Sequence, residues 1–188
     1  EMSASLVGSE MCIRDRAKHK VTVLGDIGCY TLAAYEPLYA IETCECMGAS
    51  VSSIHGFNKA LAKESEGKTV AVLGDSTFMH SGMTGLANIA YNQSNSTVII
   101  LDNSTTGMTG HQDNPGTGYT LQGDPTALLS VEKILTALGF APVLTVDPQD
   151  LKAMKAAVDQ AVAALDAGQQ PAIVTRRPCL LIKRDKFR

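Results

Sequence analysis

Two oxygen-bearing side chains in this sequence have the spacing expected of neighbouring strand ends. Asp75 and Asn103 are 28 positions apart, and each follows a short run of apolar, β-branched residues. A strand end, a crossover helix and the next parallel strand take about 30 residues, so both side chains would lie at one edge of a sheet. A carboxylate and an amide oxygen suit Mg²⁺, which completes its octahedron with phosphate oxygens and water. The spacing therefore favours a metal–diphosphate site.

The residues around Asp75 and Asn103 are of types that could bind an anion. Gly74 and Gly107 would let backbone amides approach a diphosphate, and a helix that starts just after Asp75 would point its positive end at it. Each motif alone has another explanation, since Asp75 could be an ordinary helix N-cap and Asn103 part of an Asx turn. Together, and followed by the glycine-rich loop 103–123, they favour the ligand site.

The elements that would position these residues follow a repeating pattern. Short apolar runs end in turn residues and alternate with segments of helical length, which indicates a parallel sheet covered on both faces. The predicted strands are Val21–Leu24, Thr69–Leu73, Thr97–Asp102, Pro142–Val146 and Ala172–Thr175. We expect an α/β fold, an open, mostly parallel twisted sheet with helices on both faces and ligands at the carboxyl ends of the strands.

Helix signals occupy the segments between these runs. Asp124-Pro125 and Asp147-Pro148 each place an N-cap acceptor before a proline, which predicts two helix starts. Leu128, Val131, Leu135 and Leu138 then share the face of one helix, and Leu151 to Leu165 supply the face of the next. Gly139 and Gly168 are predicted C-terminal caps. Two further helices are predicted at roughly 49–64 and 78–92, the latter with Met79, Met83, Leu86 and Ala90 on one stripe.

Composition excludes several classes of function. The chain has 188 residues, of which 45% are hydrophobic and 19% charged, and its net charge is −3. We expect one globular domain with no nucleic-acid-binding surface. No run approaches the ~18 apolar residues of a membrane span. Five cysteines in apolar surroundings favour a reducing compartment, so we expect a cytoplasmic protein.

The first sixteen residues do not match this pattern. Residues 1–16, EMSASLVGSEMCIRDR, have no sustained hydrophobic period and resemble sequencing-adapter DNA translated in frame. We interpret them as a non-native segment and assign residues 17–188 to the domain.

Several segments beyond the metal motif resemble a known family. GDS followed by DN is similar to the thiamine-diphosphate fingerprint, which is GDG followed one βαβ unit later by NN. The matching segments are GDIGCYTL, ETCECMGASVSSIHGFNKA, GDSTFMHSGMTGLANIAYN and ILDNSTTGMTGHQDNPGTG. Over residues 21–188 the chain resembles the large subunit of indolepyruvate:ferredoxin oxidoreductases, in the 2-oxoacid:ferredoxin oxidoreductase superfamily. The resemblance implies their thiamine-diphosphate-binding fold.

The resemblance also implies roles for matching residues. The Mg²⁺ ligands would be the side chains of Asp75 and Asn103 and the carbonyl of Thr105. Gly74 and Ser76 would donate backbone N–H groups to the diphosphate, although Ser76 replaces the third glycine of the fingerprint. Four further residues occupy turns that wrap the diphosphate and the thiazolium in the relatives, namely Gly28, Cys29, Met47 and Gly48.

The implied activity is the oxidative decarboxylation of a 2-oxo acid, an aryl pyruvate such as indolepyruvate, to an acyl-CoA. Coenzyme A and ferredoxin would be partners, and electrons would leave through iron–sulfur clusters. The pyrimidine-binding domain, the ferredoxin module and the smaller subunit would lie outside this chain, so we expect this chain alone to be inactive.

Histidine and cysteine residues supply further candidates. His111 follows the metal strand in the MTGHQ loop and is our candidate for proton transfer, although it could equally stabilise the loop. By resemblance, Cys29 and Cys179 match positions that help hold a [4Fe–4S] cluster, which needs two more ligands. We interpret Cys44 and Cys46 as small buried residues.

Two alternative functions remain open from the residues. A non-oxidative thiamine-diphosphate decarboxylase or synthase would share the fingerprint. A metal-independent nucleotide-binding α/β module is the other, although no G-x-G-x-x-G motif follows any predicted strand.

Overall fold

The computed structural model describes residues 21–65 and 67–182, so the predictions for residues 1–16 fall outside the described residues. Six strands form one sheet in the order β2-β1-β3-β4-β6-β5, and every pair is parallel. The strands are β1 (Thr22–Asp26), β2 (Thr43–Glu45), β3 (Thr69–Gly74), β4 (Thr97–Asp102), β5 (Val143–Val146) and β6 (Ala172–Arg176). The predicted parallel α/β sheet is confirmed.

The edge strand β2 was not predicted from the sequence. It is three residues long, and its sequence Thr-Cys-Glu has no apolar run of the kind that marks the other strands. Cys44 and Cys46 are exposed, so our interpretation of them as buried residues is wrong. An edge strand has a neighbour on one side only, which leaves room for solvent around both thiols.

Side chains alternate between two cores on opposite faces of the sheet. Val72, on β3, packs with Ile99 in one core, and Leu73 packs with Ile100 in the other. This alternation of neighbouring residues is the period of two that a pleated strand imposes. Because helices cover both faces, the strands read as continuous apolar runs.

Within the described residues, four helices flank the sheet. They are α1 (Ala49–Leu61), α2 (residues 75–91), α3 (Val131–Ala137) and α4 (Leu151–Asp166). α2 is continuous but has three parts, Asp75–Thr77, a π-helical turn Phe78–Gly82, and Met83–Tyr91. A 3-10 helix, Cys29–Ala34, follows β1, and another, Ala62–Glu64, follows α1. No helix among the described residues is long and apolar enough to cross a membrane.

Both predicted Asp-Pro helix starts are wrong. α3 begins after Ser130, whose hydroxyl accepts the Lys133 N–H at 3.2 Å, while Asp124 lies in the preceding loop and Leu128 is exposed. α4 begins after Asp150, and Asp147 instead closes an Asx turn on the Gln149 N–H at 2.9 Å. An Asp-Pro pair suits a turn as well as a helix start, so the pattern alone does not separate them.

The predicted C-terminal caps are confirmed. Gly139 (φ 95°) and Gly168 (φ 72°) adopt the left-handed conformation just after α3 and α4.

The predicted stripe of α2 is only partly correct. Met79 and Leu86 are buried as predicted, but Met83 is 36% exposed. Ile89, which was not predicted to lie on the stripe, is fully buried. The π-helical turn adds one residue to a helical turn, so residues on its two sides no longer keep the α-helical spacing.

Candidate cofactor site

A cleft opens at the carboxyl edge of the sheet, where β1, β3 and β4 end. In a parallel sheet this edge collects the loops that leave successive strands, which places distant segments side by side. The lining residues are Ile27, Gly28, Cys29, Tyr30, Met47, Gly74, Asp75, Ser76, Thr77, Leu101, Asn103, Thr105, Thr106, Gly107, Met108 and Thr109. Eight of the ten predicted site residues are in this set.

Asp75 lies at the first position of α2 and is only 4% exposed. Its Oδ2 accepts one long hydrogen bond, 3.5 Å from Asn114 Nδ2. Burial, and then the negative charge of Asp102, raise the pKa of Asp75 to about 7. A buried carboxylate beside a second carboxylate is the environment that a cation stabilises, so the site fits a divalent metal ion.

Asn103 and Thr105 reach the same cleft from the end of β4. Gly74 pairs with Leu101 across β3 and β4, so the two chains leave the sheet side by side. The Thr105 N–H donates to Asn103 Oδ1 at 3.2 Å, and Ser104 between them has a left-handed φ of 59°. This turn keeps Asn103 and Thr105 facing the cleft that Asp75 lines.

The turn at Asn103 is held from both sides. Asp102 Oδ1 accepts the Ser104 N–H at 3.0 Å, and its Oδ2 accepts from Arg176 Nε at 2.7 Å. The Cys179 N–H donates to the Asn103 carbonyl at 2.9 Å. Asp102 therefore faces β6, away from the cleft lining, and Asn103 is the side chain that faces the cleft.

The opposite wall comes from the turns after β1 and β2. Gly28, Cys29 and Met47 line it, as the resemblance implied. Ser76 lies at the N-terminal end of α2, and its hydroxyl accepts from Thr106 Oγ1 at 2.9 Å, which ties the glycine-rich loop to that helix end.

Gly48 and His111 are not among the lining residues. The Gly48 N–H donates to Asp26 Oδ2 at 2.8 Å, and Gly48 is the N-cap of α1. His111 has a left-handed φ of 63°, its N–H donates to the Thr106 carbonyl at 3.0 Å, and its buried Nδ1 has no partner among the described residues. The roles predicted for both residues stay predictions.

The structure brings Cys29 and Cys179 together. Burial raises the pKa of the Cys29 thiol, and the neighbouring Cys179 raises it further. Both cysteines are free and partly exposed. A pair of thiols at this edge of the sheet agrees with the predicted positions, but it supplies only half of the ligands of a four-thiolate cluster.

Sequence reasoning missed four residues that shape the cleft, namely Asp26, Tyr30, Thr106 and Asn114. Asp26 is the easiest to find from sequence, because it is the last residue of β1, much as Asp75 directly follows β3. Asn114 lies 39 positions after Asp75, inside an irregular loop, and no local sequence pattern predicts that the two side chains are in contact.

Comparison with known families adds a decisive observation. Residues 26–175 match the family model described as "Thiamine pyrophosphate enzyme, C-terminal TPP binding domain". The chain belongs to this family. The match runs from the last residue of β1 into β6 and includes every lining residue of the cleft, so the predicted thiamine-diphosphate-binding domain is confirmed, and the nucleotide-binding alternative is not supported.

Among curated relatives, this TPP-binding domain is 40% identical to the indolepyruvate oxidoreductase subunit IorA of Thermococcus kodakarensis over 190 residues, which is 96% of this chain. It is also 40% identical to IorA of Archaeoglobus fulgidus over 157 residues, which is 84% of this chain. The chain spans only 29% and 24% of the length of those two relatives.

Solved structures share the fold. The 2-oxoglutarate:ferredoxin oxidoreductase from Magnetococcus marinus has a TM-score of 0.76 at 14% identity, covering 97% of this chain and 63% of that one. Benzoylformate decarboxylase from Polynucleobacter necessarius has a TM-score of 0.62 at 15% identity, covering 93% of this chain and 34% of that one. At these identities the likeness concerns the fold alone.

Proposed function

We propose that this TPP-binding domain holds thiamine diphosphate through Mg²⁺ in an enzyme that oxidatively decarboxylates 2-oxo acids, with aryl pyruvates such as indolepyruvate as substrates. The observation that carries the proposal is the meeting of Asp75 and Asn103 in one cleft, at the ends of neighbouring strands. The oxidative reaction and the aryl substrate are supported by the IorA relatives, whose name is indolepyruvate oxidoreductase.

Particular residues would hold the group. The Asp75 and Asn103 side chains and the Thr105 carbonyl would bind Mg²⁺, and the N–H groups of Gly74 and Ser76 would bind the diphosphate. The N-terminal end of the 17-residue helical run 75–91 would add its positive dipole. Gly28, Cys29, Met47 and Gly48 would border the diphosphate and the thiazolium. When bound, thiamine diphosphate would supply the carbanion nucleophile and the electron sink that decarboxylation of a 2-oxo acid requires.

Other parts of the reaction belong to partners. Coenzyme A would take the acyl group and ferredoxin the electrons, while a pyrimidine-binding domain and a smaller subunit would complete the enzyme. The Magnetococcus marinus neighbour was solved with 2-oxoglutarate, coenzyme A and succinyl-CoA bound. His111 would be a proton-transfer residue on the substrate side. We also propose a cytoplasmic location, which agrees with the free described cysteines.

Calorimetry on the protein in its full natural length tests the cofactor assignment. We expect thiamine diphosphate to bind with Mg²⁺ and not in the presence of a chelator. Asp75→Ala and Asn103→Ala should each weaken binding by about 100-fold, because a two-side-chain metal site loses one of its ligands. Asn92→Ala, which truncates an exposed amide at the end of α2, is the matched control. Metal-independent binding would contradict the assignment.

A turnover assay separates the oxidative reaction from its alternative. With indolepyruvate and coenzyme A, we expect reduction of ferredoxin in step with CO₂ release. Release of an aldehyde without electron transfer would instead identify a non-oxidative decarboxylase.

We further propose that Cys29 and Cys179 are two ligands of a [4Fe–4S] cluster. Their proximity beside the cleft supports it, and the two remaining ligands would come from another segment. Cys29→Ser and Cys179→Ser should each lower the iron content by one cluster. An unchanged iron content in both variants would refute this proposal.

A further inference from the structure

The ring of Tyr30 lies between the two glycine turns of the cleft. A side chain added at Gly28 would collide with three atoms of this ring, and one added at Gly74 would lie 3.3 Å from its Cε1. Tyr30 is 6% exposed and lines the cleft beneath both turns. One ring edge therefore contacts the backbone that follows β1 and the backbone that ends β3.

Asp26 fixes the orientation of this ring. The Tyr30 hydroxyl donates a hydrogen bond to Asp26 Oδ1. The other carboxylate oxygen accepts from the Gly48 N–H at 2.8 Å and from Ser50 Oγ at 3.1 Å. Asp26 is fully buried, so its position is set by these contacts and not by solvent.

The pair consequently links three segments that are distant in sequence. Asp26 ends β1, Gly48 begins α1, and Gly74 ends β3. The first and third segments carry lining residues of the cleft, and Gly48 follows the lining residue Met47. A rigid aromatic ring that is held at its hydroxyl can set the separation of two backbone turns. A flexible side chain of similar size cannot do so.

We propose that Tyr30, held by Asp26, is a positioning residue that sets the spacing of the two glycine turns around the diphosphate. The inference rests on the proposed function, because it assigns a role toward the same cofactor. The pair acts by preorganisation. The Tyr30 ring packs against both backbone turns and reduces the conformational freedom that cofactor binding would otherwise have to remove.

The test is the Kd of thiamine diphosphate at saturating Mg²⁺, measured on the protein in its full natural length. Tyr30→Phe keeps the ring and loses its hydrogen bond to Asp26, and should raise the Kd about three- to tenfold, the net size of a typical intramolecular hydrogen bond. Tyr30→Leu also removes the rigid spacer and should raise the Kd more, by about thirtyfold. In the double variant of Tyr30→Phe and Asp26→Asn, the two effects should be less than additive, because both act through one hydrogen bond.

A matched control separates positioning from stability. Val158→Ala removes buried volume from the same core cluster, on α4 and outside the cleft lining, so it should lower the Tm without changing the Kd. A Kd within twofold of wild type in both Tyr30 variants would overturn the inference. So would an equal rise in the Kd of the Val158→Ala protein. If the wild-type protein binds no thiamine diphosphate, the proposed function itself fails, which is a different result.

Discussion

Single residues of the cleft show how strongly burial controls their chemistry. Asp26 ends β1 and Asp75 directly follows β3 at the same edge of the sheet, yet only Asp75 lines the cleft. Asp26 receives three hydrogen bonds from protein groups, whereas the Asp75 carboxylate receives one long hydrogen bond from another side chain. The Asp26 carboxylate is therefore engaged by three protein groups, while the Asp75 carboxylate faces the cleft with its hydrogen bonds coming from the start of its own helix and from Asn114.

Asp26 should make stability depend on pH. Burial is the main cause that raises its pKa from 3.8 to about 6, so the folded protein binds this proton more tightly than the unfolded chain. Its contribution to stability is fully present below pH 3.8 and is lost as the pH rises through about 6, by at most roughly 3 kcal/mol. Chemical denaturation should show that the free energy of unfolding falls less between pH 5 and pH 7.5 for Asp26→Asn than for wild type.

The exposed Asp124→Asn is the control for that comparison and should follow the wild-type pH dependence. If Asp26→Asn loses the same stability as wild type between the two pH values, Asp26 does not titrate in this range.

At the scale of elements, the helices show that caps are chosen by local hydrogen bonds. Asp124 precedes a proline, as many N-caps do, but the chain forms a bridge between Tyr119 and Pro125 and the helix starts six residues later. Ser130 is the residue whose side chain reaches a free helical N–H. The Asp-Pro pattern marks the turn, and the serine marks the helix.

Ser130→Ala should therefore destabilise the protein by about 1 kcal/mol, the usual cost of losing an N-cap. Asp124→Ala should change the free energy of unfolding by less than about 0.5 kcal/mol, because it lies on an exposed loop. Urea denaturation of both variants checks this, and a larger loss for Asp124→Ala would mean that the helix begins where the Asp-Pro pattern placed it.

At the scale of the whole molecule, the cleft joins four separate segments between residues 27 and 109. The turns after β1 and β2 form one wall, and the loops after β3 and β4 form the other. A ligand that bridges both walls binds the folded protein and not the unfolded chain, so it must stabilise the whole sheet.

Thiamine diphosphate with Mg²⁺ at about 100 times its Kd should raise the free energy of unfolding by about 2.7 kcal/mol. Removing the metal with a chelator should abolish this gain, and Asp75→Ala should lack it from the start. Thermal denaturation measures the effect. A gain that survives the chelator would show that the metal does not link the cofactor to Asp75.

The sequence by itself determined the parallel sheet and the placement of Asp75 and Asn103 at one cleft. Apolar runs such as Thr97–Asp102 and the interval of 28 residues from Asp75 to Asn103 are local patterns. Because a βαβ crossover has a regular length and geometry, these patterns predict where the residues lie in the fold. Gly139 and Gly168 were predictable for the same reason, because glycine adopts the left-handed conformation at the end of a helix without the steric cost of a side chain.

Only the tertiary structure decided which groups meet across the cleft. The contacts of Tyr30 with Gly74 and of Asn114 with Asp75 join residues 44 and 39 positions apart through irregular loops, whose paths no periodic pattern encodes. The same holds for Asp26, whose carboxylate accepts from Tyr30, Gly48 and Ser50, and for Asp75, whose carboxylate accepts from the Asn114 side chain. Those partners are set by packing, and packing depends on the whole folded chain.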